Sequence, residues 1–496
     1  ACYAATTMPG WKAMVYCVKN GDPEPGAETP ETKPNFTLKV DPSIKVEYDE
    51  DGGPKPIYAY LELQGLEDGQ NVTIEQNGQK TDYTLSKTVA NSVQLEVEPN
   101  DVIKVYGRLR AFKAQADRLV ACELGKNDDL EVLDLMMNKI SELNLTQLPN
   151  LRELSVTNNK LTSIDLGYLK KLQQFYGSYN KVGKLDTSKN PDLEVLACAA
   201  MGLTELDLSK NAKLENLTAG KNNYATFPDL SNKTSMKWID MEDCGMKGFD
   251  ATIFPKLKFL DLSGNQLTNI DLSKNSLLRK LDLDNNQMDA CAINDILFTL
   301  PKVQKEDEAT LQIKGNTGSG TCDNTLLEGK NWNMNVTGDG SGCNTVRLRF
   351  EENTQGTFKT IVDGKDIPEW TPIEKGKEVK IEASPIKGYK LVKTMLNGED
   401  VTANKFKIQQ YGVLAAVFDV DNGIRDTQAE TVRVGRHNGN IVVMGLQAEK
   451  NYSIYDVSGK LLHIGITNAN GDAVISLPAG HLIIIKQEHL VIKVRR

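Results

Sequence analysis

Between residues 108 and 343 the apolar positions keep a fixed register. The pattern LxLxxNxL appears as LDLMMNKI from Leu133, LSVTNNKL from Leu154, FYGSYNKV from Phe175 and LACAAMGL from Leu196. It continues as LTAGKNNY from Leu217, IDMEDCGM from Ile239, LDLSGNQL from Leu260 and LDLDNNQM from Leu281. The sixth position falls at Asn138, Asn159, Asn180, Met201, Asn222, Cys244, Asn265 and Asn286, in steps of 21 residues with one step of 22. Chance does not hold such a register. A degenerate turn comes first, from Phe112 to Leu119 with Asp117 in the Asn slot, and a longer one follows, ending in LQIKGNTG with Asn316. A second motif, GKN or SKN, recurs at Asn127, Asn190, Asn211 and Asn275 and marks the opposite turn of each coil.

Positions 1 and 3 of the motif alternate with polar ones and predict a short strand whose apolar side chains point inward. The Asn amide has a donor and an acceptor, so it suits the place where the backbone bends away from a sheet. One coil buries too little to stand alone and must be stabilised by its neighbours. About ten parallel strands at roughly 4.8 Å spacing predict a face about 45 Å long.

LTELDLSKNAKLENLTAGKNNY and LTNIDLSKNSLLRKLDLDNNQM resemble the short repeats of internalin-J-like surface proteins, which are also common in Bacteroidetes. The resemblance covers about residues 105–340 and implies a leucine-rich-repeat solenoid, with a parallel β-sheet on its concave face and all-β domains on its flanks. In that family Cys often enters the ladder, as Cys198 and Cys244 do here. These two lie two coils apart, too far to bridge, and are expected to be core thiols.

The flanks divide by composition. Residues 1–33 end in a Pro- and Glu-rich linker, and residues 34–107 alternate apolar and polar as a small β unit expected to cover the first edge of the solenoid. The repeats and a closing cap occupy 108–343, with ACAINDILFTLPKV helical and Trp332 over the last coil. Cys291 and Cys322 flank that cap, and a disulfide between them is the expectation. Residues 344–420, with EVKIEASPIKGYKLVKTMLNG followed by AAVF, resemble the B-repeat of internalin-type proteins, which implies a β spacer. Residues 421–430 are a second linker. Residues 431–496 contain YDVSGK and LPAG and resemble the C-terminal sorting domain of type IX secretion cargo, with His481-Leu482 in place of the usual aromatic. That resemblance implies interaction with the secretion machinery, passage across an outer membrane and attachment outside it. The start at Ala1, with neither Met nor an apolar leader, gives the expectation of a mature or trimmed form.

Composition removes several function classes. The chain has 496 residues and a net charge of −9, opposite to the basic footprint that nucleic acid requires. No apolar run reaches the ~18 residues of a transmembrane span. The four histidines, His437, His463, His481 and His489, all fall in the last segment, so the solenoid holds no Ser-His-Asp set, no Cys-His pair and no histidine metal site. No CxxC, HExxH, P-loop or GxGxxG occurs. A carboxylate-pair hydrolase needs only Asp and Glu, but the acids here recur with the repeat, as a solvated face does. No catalytic residue, cofactor or metal is expected.

The candidate site is therefore the outward row of the concave strands. It carries an apolar stripe, with Met136, Met137, Tyr176 and Tyr179 on early coils and Trp238 beside Phe259 later. It also carries an acidic column of Asp240, Asp261 and Asp282, with Glu242, Asp243 and Asp284 nearby. Carboxylates stacked roughly 4.8 Å apart repel, and a basic partner or a cation relieves that. The Asp of the LDLS consensus also has a plainer account, as a tolerated exposed residue. The expected function is binding of a protein or glycan ligand on a host or neighbouring cell by a secreted, surface-attached protein, in adhesion, biofilm or host interaction. An envelope scaffold or spacer without a specific ligand is the alternative.

Overall fold

A computed structural model describes residues 2–4, 15–17, 33–420 except 50, 52, 116 and 117, and 433–495 except 438, 439, 445, 457–459, 471, 476–481, 488 and 489. The linkers at 18–32 and 421–430, Asp117, the centre of YDVSGK, the LPAG element, His481 and His489 lie outside the described residues. The contacts divide the chain into two units, Ala1–Asn344 and Thr345–Arg496.

The first unit is built around a sheet of 13 strands. Two of them, Tyr58–Gln64 and Asn91–Glu96, run antiparallel at one end, and the remaining eleven are parallel. The parallel series starts at Ala111–Gln115, passes through Val132–Asp134 and the seven repeats that follow, and ends at Thr310–Gln312 and Asn333–Met334. The last strand is one more than the repeat pattern predicts, because Asn333–Met334 carries no LxL signature. Each repeat strand has three residues, enough for one inward side chain. The inward column of Leu133, Leu154, Phe175, Leu196, Leu217, Ile239, Leu260 and Leu281 is fully buried.

The sixth-position Asn joins each coil to the one before it. Asn159 Nδ2 donates to the carbonyls of Leu135 on the previous coil (2.9 Å) and Val156 on its own (3.0 Å). Its Oδ1 accepts from the backbone N–H of Ile140 at 3.0 Å. Asn180, Asn265 and Asn286 repeat the arrangement, which satisfies backbone groups that the bend would otherwise strand in the core. At Cys244 the thiol takes over the donor role, reaching the carbonyls of Glu242 (3.4 Å) and Ala219 (3.7 Å). Cys198 and Cys244 are free and buried, and burial pushes the Cys198 thiol up to about 12. On the opposite turn, Asn190, Asn211 and Asn275 each donate to two carbonyls of the preceding coil.

Both ends of the ladder are closed. Tyr58–Gln64 pairs with Ala111–Gln115, so the first parallel edge is hydrogen-bonded. The Phe36 and Phe112 rings stack beneath it, 4.1 Å between centroids. At the far end the helix Ala290–Thr299 starts from an Asp289 cap that accepts the Ala292 N–H at 2.8 Å. The Lys330 ammonium donates to the carbonyls of Leu297 and Phe298 at the helix C-terminus, and burial lowers it to about 8. Trp332 is buried and donates its indole N–H to the Pro301 carbonyl at 2.7 Å. The disulfide differs from the expected one. Cys291 pairs with Cys343, and Cys322 is a free, buried thiol. Cys291 opens the helix and the chain folds Cys343 back against it at a Cα separation of 5.0 Å.

Among its described residues the second unit is built of β-strands, with one short 3-10 turn at Thr402–Asn404. Residues 345–420 contain two four-stranded sheets, one with Gly412–Val420 and Tyr389–Leu396 and the other with Gly356–Val362 and Glu378–Pro385. Beyond residue 432 lie a sheet of three strands around Asn440–Met444 and one of four that ends in Leu482–Gln487 and Leu490–Arg495.

Candidate binding surface on the concave sheet

Parallel pairing without a register shift puts like positions side by side. Trp238 pairs with Phe259 and Phe259 with Lys280, while Asp240 pairs with Asp261 and Asp261 with Asp282. The Trp238 and Phe259 rings stack face to face, with centroids 3.5 Å apart and planes 5° from parallel. Trp238 is 41% exposed, whereas Phe259 is half-buried. Such a stack contributes about 0.5–1.5 kcal/mol beyond its buried area and holds both rings in one orientation.

The acidic column helps to close the turns that follow its strands. Each carboxylate accepts from the backbone two residues on: Glu242 N–H to Asp240 at 3.2 Å, Ser263 N–H to Asp261 at 2.9 Å and Asp284 N–H to Asp282 at 3.0 Å. The Asp of the consensus thus closes the turn after its strand, as Asx turns do. Burial outweighs these bonds. It pushes Asp240 up to about 6, and the neighbouring Asp261 carboxylate adds to the effect. Burial likewise raises Asp282 to about 6, and it raises Asp261.

The acids around the column are already engaged. Glu242 forms an ion pair with Lys221 at 2.9 Å. Asp284 accepts from the Lys314 backbone N–H and from the Asn335 amide. The Asp243 carboxylate lies where a side chain at Gly264 would project. A cationic row precedes the strands at Lys237, Lys258 and Arg279, of which Lys237 pairs with Glu215 (2.5 Å) and Arg279 with Asp307 (2.9 Å). Three successive coils therefore read KWID, KFLD and RKLD. The cationic row is legible in the sequence as this repeat, one residue before the outward aromatic or lysine position.

The structure brings Trp238, Phe259, Asp240, Asp261, Asp282 and Glu242 onto three adjacent coils. Tyr176 and Tyr179 lie apart, three strands from Trp238–Asp240, or about 14 Å. Tyr176 is half-buried and donates its hydroxyl to Gln174 at 2.8 Å. Tyr179 is 50% exposed and Met137 42%. On the early coils Ser155, Ser178 and Ala199 are buried, and the Ser178 hydroxyl accepts the Ala199 N–H at 3.0 Å. A further regularity is conformational. Position 5 of every repeat, Met137, Asn158, Tyr179, Ala200, Lys221, Asp243, Gly264 and Asn285, has φ between 49° and 66°.

A family model described as Leucine Rich Repeat matches residues 256–277, the coil that carries Phe259 and Asp261. The solenoid is built of leucine-rich repeats. Among solved structures, the functional domain of InlJ from Listeria monocytogenes, which includes a cysteine ladder, is 18% identical, covers 65% of this chain and 65% of its own, and has a TM-score of 0.33. InlF from Listeria monocytogenes is 20% identical over 42% of this chain and 73% of its own, with a TM-score of 0.29. YopM from Yersinia enterocolitica is 21% identical over 42% and 47%, with a TM-score of 0.32. The chain thus spans about two thirds of the InlJ structure. No curated protein sequence matches it. Among the described residues no helix of this leucine-rich-repeat protein is long and apolar enough to cross a membrane.

Proposed function

We propose that the concave face of the leucine-rich-repeat sheet binds a protein partner that presents a basic segment, centred on the coils of Trp238, Phe259 and Lys280. The observation that carries this reading is the registered pair of columns: a rigid, partly exposed aromatic stack beside three half-buried carboxylates. Aromatic side chains held on a stiff sheet bind without losing much rotamer freedom. A lysine or arginine from the partner lays its aliphatic stem along Trp238 and brings its charge to Asp240 and Asp261, relieving repulsion that their backbone hydrogen bonds offset only in part.

Adhesion of a secreted, surface-attached protein is the cellular role that fits, whether in biofilm or in contact with a host. The resemblance of residues 431–496 to type IX sorting domains supports export to the outer surface, and residues 344–420 serve as a spacer. The role is one of binding and contains no catalytic step. Cells displaying the full chain should adhere or aggregate, and Trp238→Ala or Asp261→Lys should reduce this without lowering the unfolding temperature by more than a few degrees. If both variants adhere like the wild type, the concave-face assignment is wrong. Capture of glycans and not proteins, lost in Trp238→Ala, would replace the partner class.

A further inference from the structure

A second concavity lies at the start of the solenoid, away from the acidic column. It is a cleft of about 650 Å³, within the ~300–1,000 Å³ usual for small ligands. One wall is an excursion of the chain at 43–57, held closed by the Tyr48–Pro54 bridge and by the Lys55 N–H on the Glu47 carbonyl at 2.7 Å. The other wall is the outward face of Tyr58–Gln64, where Tyr58 and Tyr60 stand two residues apart with ring centroids separated by 6.5 Å. Tyr60 is 49% exposed.

The charges of this cleft oppose those of the whole chain, which carries −9. Among the described lining residues are Lys45, Lys55, Arg118 and Lys139, against the single carboxylate of Glu47. Lys139 is neutralised by buried Asp41, and exposed Lys55 lies 3.8 Å from Glu47. Arg118 is different. Its Nε is buried and, among the described residues, has no hydrogen-bond partner. A buried donor left unmatched is costly and rare, so a small shift of the side chain that brings it to an acceptor from outside is favoured. The guanidinium fork fits the paired oxygens of a carboxylate or sulfate. Tyr58 and Tyr60 add flat apolar faces with hydroxyl rims, which match the C–H face of a sugar ring. A peptide strand would need free backbone groups, yet Tyr58–Gln64 is paired along both edges.

We propose that this cleft binds an anionic saccharide, its carboxylate or sulfate on Arg118 and Lys45 and its ring against Tyr58 and Tyr60. The test is calorimetric titration of the full chain with trigalacturonate, with a heparin-derived hexasaccharide, and with hexaglutamate as an anion without sugar rings. At least one saccharide should bind, and the stronger of the two tells carboxylate from sulfate. Arg118→Gln and, independently, the surface change Tyr60→Ala should each weaken it roughly tenfold or more. Arg118→Lys should recover part of the loss, and Trp238→Ala should leave binding unchanged, which separates this site from the concave face. Absence of saccharide binding, wild-type affinity in both Arg118→Gln and Tyr60→Ala, or hexaglutamate binding as tightly as the sugars would overturn the proposal.

Discussion

The coils from Val132–Asp134 to Val195–Ala197 and those from Trp238–Asp240 to Lys280–Asp282 share one framework and present different surfaces. Inward, both halves bury the same aliphatic column, and both carry the amide ladder on most coils. Outward, the early strands end in Asp134, Ser155, Tyr176 and Ala197, four unlike residues, whereas the late ones end in Asp240, Asp261 and Asp282. Parallel in-register pairing turns a preference at one position into a column. Where the residues differ, as in the early half, nothing accumulates. Where they agree, charge and aromatic surface accumulate, and in the acidic column they do so against electrostatic cost. The buried column is the same whatever the outward residues are, and the turn needs only the Asp acceptor, so the aromatic pair is free to serve binding.

The shared framework can be broken at the core. Leu154→Ala and Leu260→Ala, one in each half, should both cost about 2–5 kcal/mol in chemical denaturation, since both side chains are fully buried. A large difference between them would mean that the two halves are not equivalent frameworks.

The left-handed fifth position gives a smaller contrast. Gly264 has φ +66° and Ala200 has φ +53°. Gly264→Ala should destabilise by about 1–2 kcal/mol, and Ala200→Gly should be neutral or stabilising by up to about 1 kcal/mol. Adding Asp243→Ala to Gly264→Ala tests how much of the cost comes from the carboxylate that occupies the Cβ position. Recovery of most of the loss would assign it to that contact and not to the backbone.

The smallest effect is on pH dependence and belongs to the late half. Burial pushes Asp240 and Asp282 up to about 6 in the folded chain, above the usual carboxylate range. A carboxyl whose pKa is raised by folding binds more protons folded than unfolded, so its contribution to stability is full below about 4 and is lost as pH rises through 6. The unfolding temperature should therefore rise between pH 7 and pH 5, and Asp240→Asn should flatten that rise. Asp41, held at about 2 by the Lys139 ammonium, acts in the opposite sense and below this window.

Much of this was legible in the chain itself. The step of 21 residues and the aliphatic residues at positions 1 and 3 located every repeat strand, and the Asn slot located the bend. Three things were not legible, for separate reasons. The left-handed fifth position is filled by Met, Asn, Tyr, Ala, Lys, Asp and Gly in turn, so no residue type marks it; the coil geometry imposes it. Cys322 is the expected partner of Cys291, and the structure gives Cys343, because loop length does not separate the two; only the fold back onto the helix does. The turn-closing role of the consensus Asp was hidden by its surface position, since its acceptor role needs the backbone two residues on. The candidate surface was legible as residues but not as an arrangement. Spacing alone set Tyr176 and Trp238 in the same stripe, and counting strands separates them.

The central claim is that, on the concave face, the late half binds a basic partner and the early half does not. Calorimetric titration of the full chain with a lysine-rich dodecapeptide, at low and high salt, tests it most directly. Binding should weaken with salt and, as Asp240 and Asp282 take up protons, at pH 5. Trp238→Ala should weaken it about 30-fold, the equivalent of a 2 kcal/mol hot spot, and Tyr179→Ala by no more than about twofold. Equal losses in the two variants, or none in Trp238→Ala, would contradict the account.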